Sequence, residues 1–178
     1  FIADLDRTAL AELKEERPGI TIVDGADLLS LEVEIIAPCA IGGVINVSTI
    51  PALRCRLICG AANNILGESA DAERLKARGI TFVPDYLCNR MGIINCANEW
   101  LGYMEDDVRM AAERVHPDTL RVLRHARNLS ITTTESGDEL ADAASSLSDA
   151  AVLMHAHRQR PWQVRVRVRV RVRVRVRV

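Results

Sequence analysis

From residue 1 to about residue 84, short apolar runs alternate with stretches of helical periodicity; beyond that only helical periodicity continues. The alternation predicts an α/β fold in which a mainly parallel, doubly wound sheet is covered by helices. Phe1 to Leu5 reads as the end of a strand, and Asp6 is placed to cap a helix through Leu10, Leu13 and Lys14 to about Glu16, where Pro18-Gly19 stops it. Further strands are expected at about Ile20 to Val23, Val33 to Ala37 (ended by Pro38), Arg56 to Cys59 (ended by Gly60) and Ile80 to Val83 (ended by Pro84). A helix at about Asp71 to Arg78 lies between the last two, with Gly79 as its C-cap. After Pro84 the predicted helices are about Gly92 to Met104, Asp106 to Val115, Pro117 to Asn128, and one from Ser136, where Ser136 and Glu139 have the spacing of a capping box.

The pattern breaks at Val164, where a strict Val-Arg alternation runs to Val178. Such a period-2 stretch has one apolar and one cationic face and could contact an anionic membrane or nucleic acid. Nothing upstream prepares for such a strand, so a repeat or frameshift in the coding DNA is the expected origin. The chain is thus divided into residues 1–150 and a tail of residues 151–178. Seven of the 23 basic residues are arginines of this repeat, and without them the formal charge of −1 becomes −8. An acidic body offers no footprint for nucleic acid.

At 178 residues with 3% aromatics, the chain has the size of one domain with an aliphatic core. Its five cysteines (Cys39, Cys55, Cys59, Cys88, Cys96) are odd in number and lack disulfide or zinc spacing. They are expected to be reduced thiols. The histidines, His116, His125, His155 and His157, fall on segments that read as exposed helix or tail, so no metal site is expected. No apolar stretch approaches the ~20 residues of a membrane span, and the acidic start is unlike a signal peptide. A soluble, cytoplasmic protein is expected. A start at Phe1, already inside an apolar run, suggests that the native N-terminus lies upstream.

In a doubly wound sheet, ligands sit beyond the carboxyl ends of the strands. Here those positions are Asp4, Pro38-Cys39-Ala40, Gly60-Ala61-Ala62-Asn63-Asn64 and Pro84-Asp85-Tyr86. An acid ending an early strand suits adenosine ribose hydroxyls and repels a 2′-phosphate, so Asp4 favours NAD over NADP; a plain helix cap is the competing reading. The glycine-rich phosphate loop that should precede such a strand is absent, and Gly42-Gly43 does not replace it.

Three ordered blocks, Ala37-Pro-Cys-Ala-Ile-Gly-Gly-Val-Ile-Asn46, Cys59-Gly-Ala-Ala-Asn-Asn64, and Pro84-Asp-Tyr-Leu-Cys-Asn89 leading into Gly92-Ile-Ile-Asn-Cys-Ala-Asn-Glu99, resemble the glutamate/leucine/phenylalanine/valine dehydrogenase family. The resemblance spans most of Phe1 to about Ser146. It implies a Rossmann-like NAD-binding domain, truncated at its N-terminus and followed by helices. It also implies a small amino-acid substrate and a homo-oligomer when full length, with no nucleic-acid or membrane partner. By the same resemblance Asp4 meets the adenosine ribose, Cys39 and Ala40 lie along the cofactor, Asn63 stands near the nicotinamide ribose, and Asn64 orients the substrate carboxylate. Planar Asn amides offer two donors and an acceptor for such work.

Ile93 and Cys96, three apart on one helix face, match the family's side-chain pocket, and their apolar character favours a branched-chain or aromatic amino acid over glutamate. The competing reading makes both ordinary core residues. Arg90-Met91-Gly92 departs from the family's usual Ala-Gly-Gly and places bulk near the cleft. The family's catalytic lysine and aspartate belong to an N-terminal domain, and neither Lys14 nor Lys76, both on surface helices, can be assigned that role, so no catalytic residue is expected in this chain. A non-catalytic nucleotide-binding homologue and an interaction module using the basic tail are the alternatives.

Overall fold

The computed structural model describes residues 1–156 of the chain, so the Val-Arg repeat lies outside the described residues. The chain divides into one unit over Phe1–Ala141 and a second from Asp142 onward, whose described part continues a helix to Ala156.

Helix α1 (Arg7–Glu16) starts where the sequence predicts: Asp6 Oδ1 accepts the N–H groups of Thr8 and Ala9, both at 3.0 Å. Leu10 is the residue it buries. The flanking strands expected at Phe1 to Leu5 and Ile20 to Val23 are reduced to a single parallel bridge, Ile2 to Ile22. Phe1 is 67% exposed and Leu5 94%. A ladder of two strands without a third is marginal, which accounts for its shortness. The short α2 (Gly25–Leu28) follows.

The sheet proper has three strands, β1 (Ile35–Ile36), β2 (Leu57–Ile58) and β3 (Thr81–Phe82), all parallel and in the order β1-β2-β3. All three lie inside the predicted runs. The outer edge of β1 has no partner strand among the described residues. The core is aliphatic as expected: Ile36, Ile45, Ile58, Ile65 and Leu75 join Phe82 in one cluster. Helix α3 (Asp71–Ala77) returns the chain from β2 to β3. Its buried Asp71 accepts the Glu68 N–H and pairs with Arg74, and Gly79 (φ +69°) closes it.

After β3 the chain is helical: α4 (Asp85–Cys88), α5 (Met91–Leu101), α6 (Glu105–Glu113), α7 (Val115–Leu129) and α8 (Thr133–Ala156). Pro117 is accommodated in the first turn of α7, where its missing N–H costs nothing. The capping box of α8 differs from the expected one. Thr132 and Glu135 form it, with the Glu135 carboxylate accepting the Thr132 N–H at 2.8 Å and Thr132 Oγ1 accepting the Glu135 N–H at 3.1 Å. Ser136 is instead fully buried, its hydroxyl donating to the Val122 carbonyl at 2.9 Å. His125 is likewise not on an open face: its Nδ1 lies 3.0 Å from Ser136 Oγ, between α7 and α8.

Candidate functional site

The carboxyl ends of the three strands lead into loops that are stapled to one another. Gly60 lies against Pro38 so closely that a Cβ there would meet the Pro38 carbonyl oxygen at 2.0 Å. The Ala62 N–H donates to that same oxygen at 3.0 Å. Gly42 passes over Asn63 and Asn64, where a Cβ would approach their carbonyl oxygens to 2.5 and 2.7 Å, and the Gly43 N–H (φ +72°) donates to the Asn64 carbonyl at 2.7 Å. Both glycines are required by close backbone approach. From the third loop, Cys88 Sγ contacts the Gly60 carbonyl at 3.2 Å and Asn89 Nδ2 donates to Asn63 Oδ1 at 2.7 Å. Asp85 Oδ2 accepts the Asn64 backbone N–H at 2.6 Å.

This network brings Cys39, Ala40, Asn63 and Asn64 to one end of the sheet, all four exposed. Asn63 has its side-chain oxygen engaged by Asn89. Asn64 sits in the left-handed region (φ +54°), a conformation that asparagine tolerates better than most residues. Its backbone N–H and C=O are both spent on protein partners, while its side-chain amide bonds no protein group among the described residues. Asp4 belongs to the separate Ile2–Ile22 pairing. It is exposed, and its Oδ1 accepts the Asp6 N–H at 3.0 Å. The cap of α1 is Asp6, so Asp4 itself is not the helix cap that the competing reading made it.

Ile93 (61% exposed) and Cys96 (exposed) lie on α5, which buries none of its described side chains. They are therefore not core residues of this chain. Arg90, the bulky departure, turns to α7: its Nη2 pairs with Asp118 Oδ2 at 2.7 Å and its side chain is 21% exposed. Lys14 donates to the carbonyls of Pro18 and Ile20, and Lys76 pairs with Glu73, so both ammonium groups hold local structure.

Burial first, and then the neighbouring Cys59 thiol, push the Cys88 thiol up to about 11, so it stays protonated at neutral pH. Burial, with Asp138 and Asp85 adding to it, pushes Tyr86 up to about 12. Its hydroxyl donates to the Thr134 carbonyl at 3.2 Å, and its ring lies where a Cβ on Gly137 would be. With Thr133 Oγ1 donating to the Phe82 carbonyl at 2.6 Å, these contacts seat the start of α8 beside the strand ends.

Two other groupings are structural. Ser136, His125 and Glu139 resemble a nucleophile–base–acid arrangement in order, but Ser136 is fully buried and gives its only proton to Val122. An open hollow of about 390 Å³, lined by Glu34, Arg56, Gly79 and Thr81 among others, lies at the amino ends of the strands, opposite the loops just described. Among the described residues, no three His, Cys, Asp or Glu side chains are grouped to hold a metal ion, and no helix is long and apolar enough to cross a membrane.

Asp85 follows a predicted strand end and Asn89 closes one of the family-like blocks, but the sequence assigns neither a role. An acid directly after a strand-ending proline was the available signal for Asp85. Its partnership with Asn64, 21 residues away, was not readable from the chain.

Comparison with known proteins bears on the same blocks. The chain is 36% identical over 143 residues to an L-tryptophan dehydrogenase of Nostoc punctiforme, covering 80% of this chain and 40% of the relative. It is 34% identical over 142 residues to a leucine dehydrogenase of Geobacillus stearothermophilus, with 80% and 38% covered. The crystal structure of the Nostoc punctiforme L-tryptophan dehydrogenase superposes with a TM-score of 0.80 at 35% identity, over 84% of this chain and 45% of that one. The chain thus spans about 40% of the length of the curated relatives it matches. The sequence model of the Glutamate/Leucine/Phenylalanine/Valine dehydrogenase family matches residues 2–161, nearly the whole chain, and the protein belongs to that family.

Proposed function

We propose that this chain is the cofactor-binding part of an NAD-dependent amino-acid dehydrogenase, which converts an L-amino acid, NAD⁺ and water to the 2-oxo acid, ammonium, NADH and a proton. The observation that carries this reading is the stapled set of strand-end loops, which presents exposed Asn63 and Asn64 side chains on rigid backbone at the carboxyl ends of parallel strands. The residues present fit the nicotinamide end of the dinucleotide. Asn63 keeps its Nδ2 donor for the ribose, and the exposed backbone at Cys39 and Ala40 lies open along one side. Asp4 retains Oδ2 for the adenosine ribose. When bound, the dinucleotide supplies the hydride acceptor; the chain's own residues position it and the substrate.

Asn64 orients the substrate carboxylate, and Ile93 and Cys96 form an apolar wall for a branched-chain or aromatic side chain. The pairing of Arg90 with Asp118 draws its charge towards α7, which supports an enzyme over a blocked homologue.

In the doubly wound order 3-2-1-4-5-6, the Ile2 and Ile22 segments take the second and third places and β1 to β3 the fourth to sixth. The place of strand 1 with its phosphate loop then falls to a segment outside these 178 residues, as do the family's lysine and aspartate. Oligomerisation of the complete enzyme belongs to the same reading, with the exposed apolar surface of α5 supporting it.

The test is amino-acid-dependent reduction of NAD and NADP by the chain fused at Phe1 to the preceding part of the Nostoc punctiforme relative. Turnover with NAD well above NADP is expected, because Asp4 repels a 2′-phosphate. The 178-residue chain by itself is expected to show neither turnover nor micromolar NAD binding in calorimetry. A folded fusion that reduces neither cofactor with leucine, valine, phenylalanine or tryptophan would overturn the reading.

A further inference from the structure

Asn64 and Ser130 are the non-glycine residues with positive φ among the described residues, and Ser130 is an ordinary helix C-cap. Asn64 has no helix to end. Its left-handed backbone is held from two sides. The Gly43 N–H fixes its carbonyl at 2.7 Å, and the Asp85 carboxylate fixes its N–H at 2.6 Å, a short charge-assisted bond. Asp85 lies in the first turn of α4, directly after the buried Pro84 that ends the β3 segment, so its carboxylate is anchored to the sheet. The Gly43 contact is backbone to backbone and survives any side-chain change. The Asp85 contact is the side-chain half of the clamp.

We infer that Asp85 is a positioning residue, whose carboxylate holds Asn64 in the left-handed conformation and so aims the free Asn64 amide at the ligand. The inference rests on the reading of Asn64 as the group that orients the substrate carboxylate. Asp85 touches no substrate itself. It accepts the hydrogen bond of the Asn64 N–H, and Asn64 is thereby kept in a conformation most residues avoid. The Asn64 amide then faces the ligand without a conformational search, the kind of preorganisation that lowers the cost of binding.

Nuclear magnetic resonance on this chain reads the first half directly. In Asp85→Ala, hydrogen exchange of the Asn64 amide is expected to rise about tenfold or more, the change expected on losing one charge-assisted hydrogen bond. The scalar coupling that reports its φ should move away from the left-handed value, while the Ile58 and Ile65 amides keep their protection. Asp85→Asn retains an acceptor oxygen and should recover most of both signals. Should Asp85→Ala fail to fold, Asp85→Asn carries the same readings with a smaller rise. Unchanged exchange and coupling at Asn64 in the folded variant overturn the inference.

In the fused enzyme, Asp85→Ala should raise KM for the amino acid about tenfold, leave KM for NAD unchanged, and be largely rescued by Asp85→Asn. If the Asn64 backbone moves but KM for the amino acid does not, Asp85 positions the loop and the assigned role of Asn64 is wrong.

Discussion

At the scale of single residues, the site depends on atoms that are absent as much as on side chains. Gly60→Ala would force a Cβ into the Pro38 backbone, and backbone cannot swing aside as a flexible side chain does. A loss of about 3 kcal/mol or more is expected, at the upper end of overpacking costs, read as a drop in the denaturation midpoint. Cys88, held near pKa 11, should alkylate far more slowly at neutral pH than exposed Cys39, and peptide mass spectrometry after a timed iodoacetamide pulse distinguishes them. Equal labelling would contradict the burial argument. Tyr86 gives the pH prediction. The folded state holds its proton up to about pH 12 against 10.0 for the free side chain, so the native state binds more protons between those values and loses stability as pH rises through them. Tyr86→Phe has no hydroxyl to ionise and should lose less stability over that window in urea titrations. These three residues are visible as letters; their partners Pro38, Gly60 and Thr134, 22 to 48 positions away, are not.

At the scale of elements, every predicted strand from Val33 onward contains an observed one, and every predicted helix overlaps an observed helix. Period and punctuation are local, so Pro38, Gly60, Gly79 and Pro84 could be read where they stand. The start of α8 shows the limit. Ser136-x-x-Glu139 carries the capping-box spacing from which the helix start is expected, and Thr132-x-x-Glu135 carries the same spacing. The packing of α7 decided otherwise, because Val122 and His125 take Ser136 into the interior. Thr132→Ala should therefore cost about 1 kcal/mol, while Ser136→Ala leaves the cap intact and instead removes the buried hydroxyl that joins His125 to the Val122 carbonyl. Helical signal and exchange protection over the first turn of α8 would separate the two. The Glu135 carboxyl is held below its ordinary range by the Thr132 N–H and hydroxyl, so the cap weakens as pH falls through that lowered value.

At the scale of the whole molecule, the described surface is unusually apolar in particular places. Leu5, Ile93 and Trp100 are 94%, 61% and 93% exposed, and β1 presents an unpaired edge. Exposed apolar surface and an open strand edge both favour association. Sedimentation velocity over a range of concentrations should show this chain self-associating, and a monomer throughout would contradict that account.

Fold class, family, the ends of the strands from Val33 onward and the residues that stand there are all legible in the amino-acid order alone. Those properties are written in periods of two and 3.6 residues and in short ordered blocks, which need no knowledge of what lies across space. Packing in three dimensions is what holds Asn64 left-handed by Asp85, draws Arg90 to Asp118, leaves Ile93 and Cys96 outside the core, and makes Thr132 rather than Ser136 the cap of α8. Each of these depends on which partner arrives from 11 to 28 residues away, or on whether any layer arrives at all. Spacing along a chain carries no record of that distance in space.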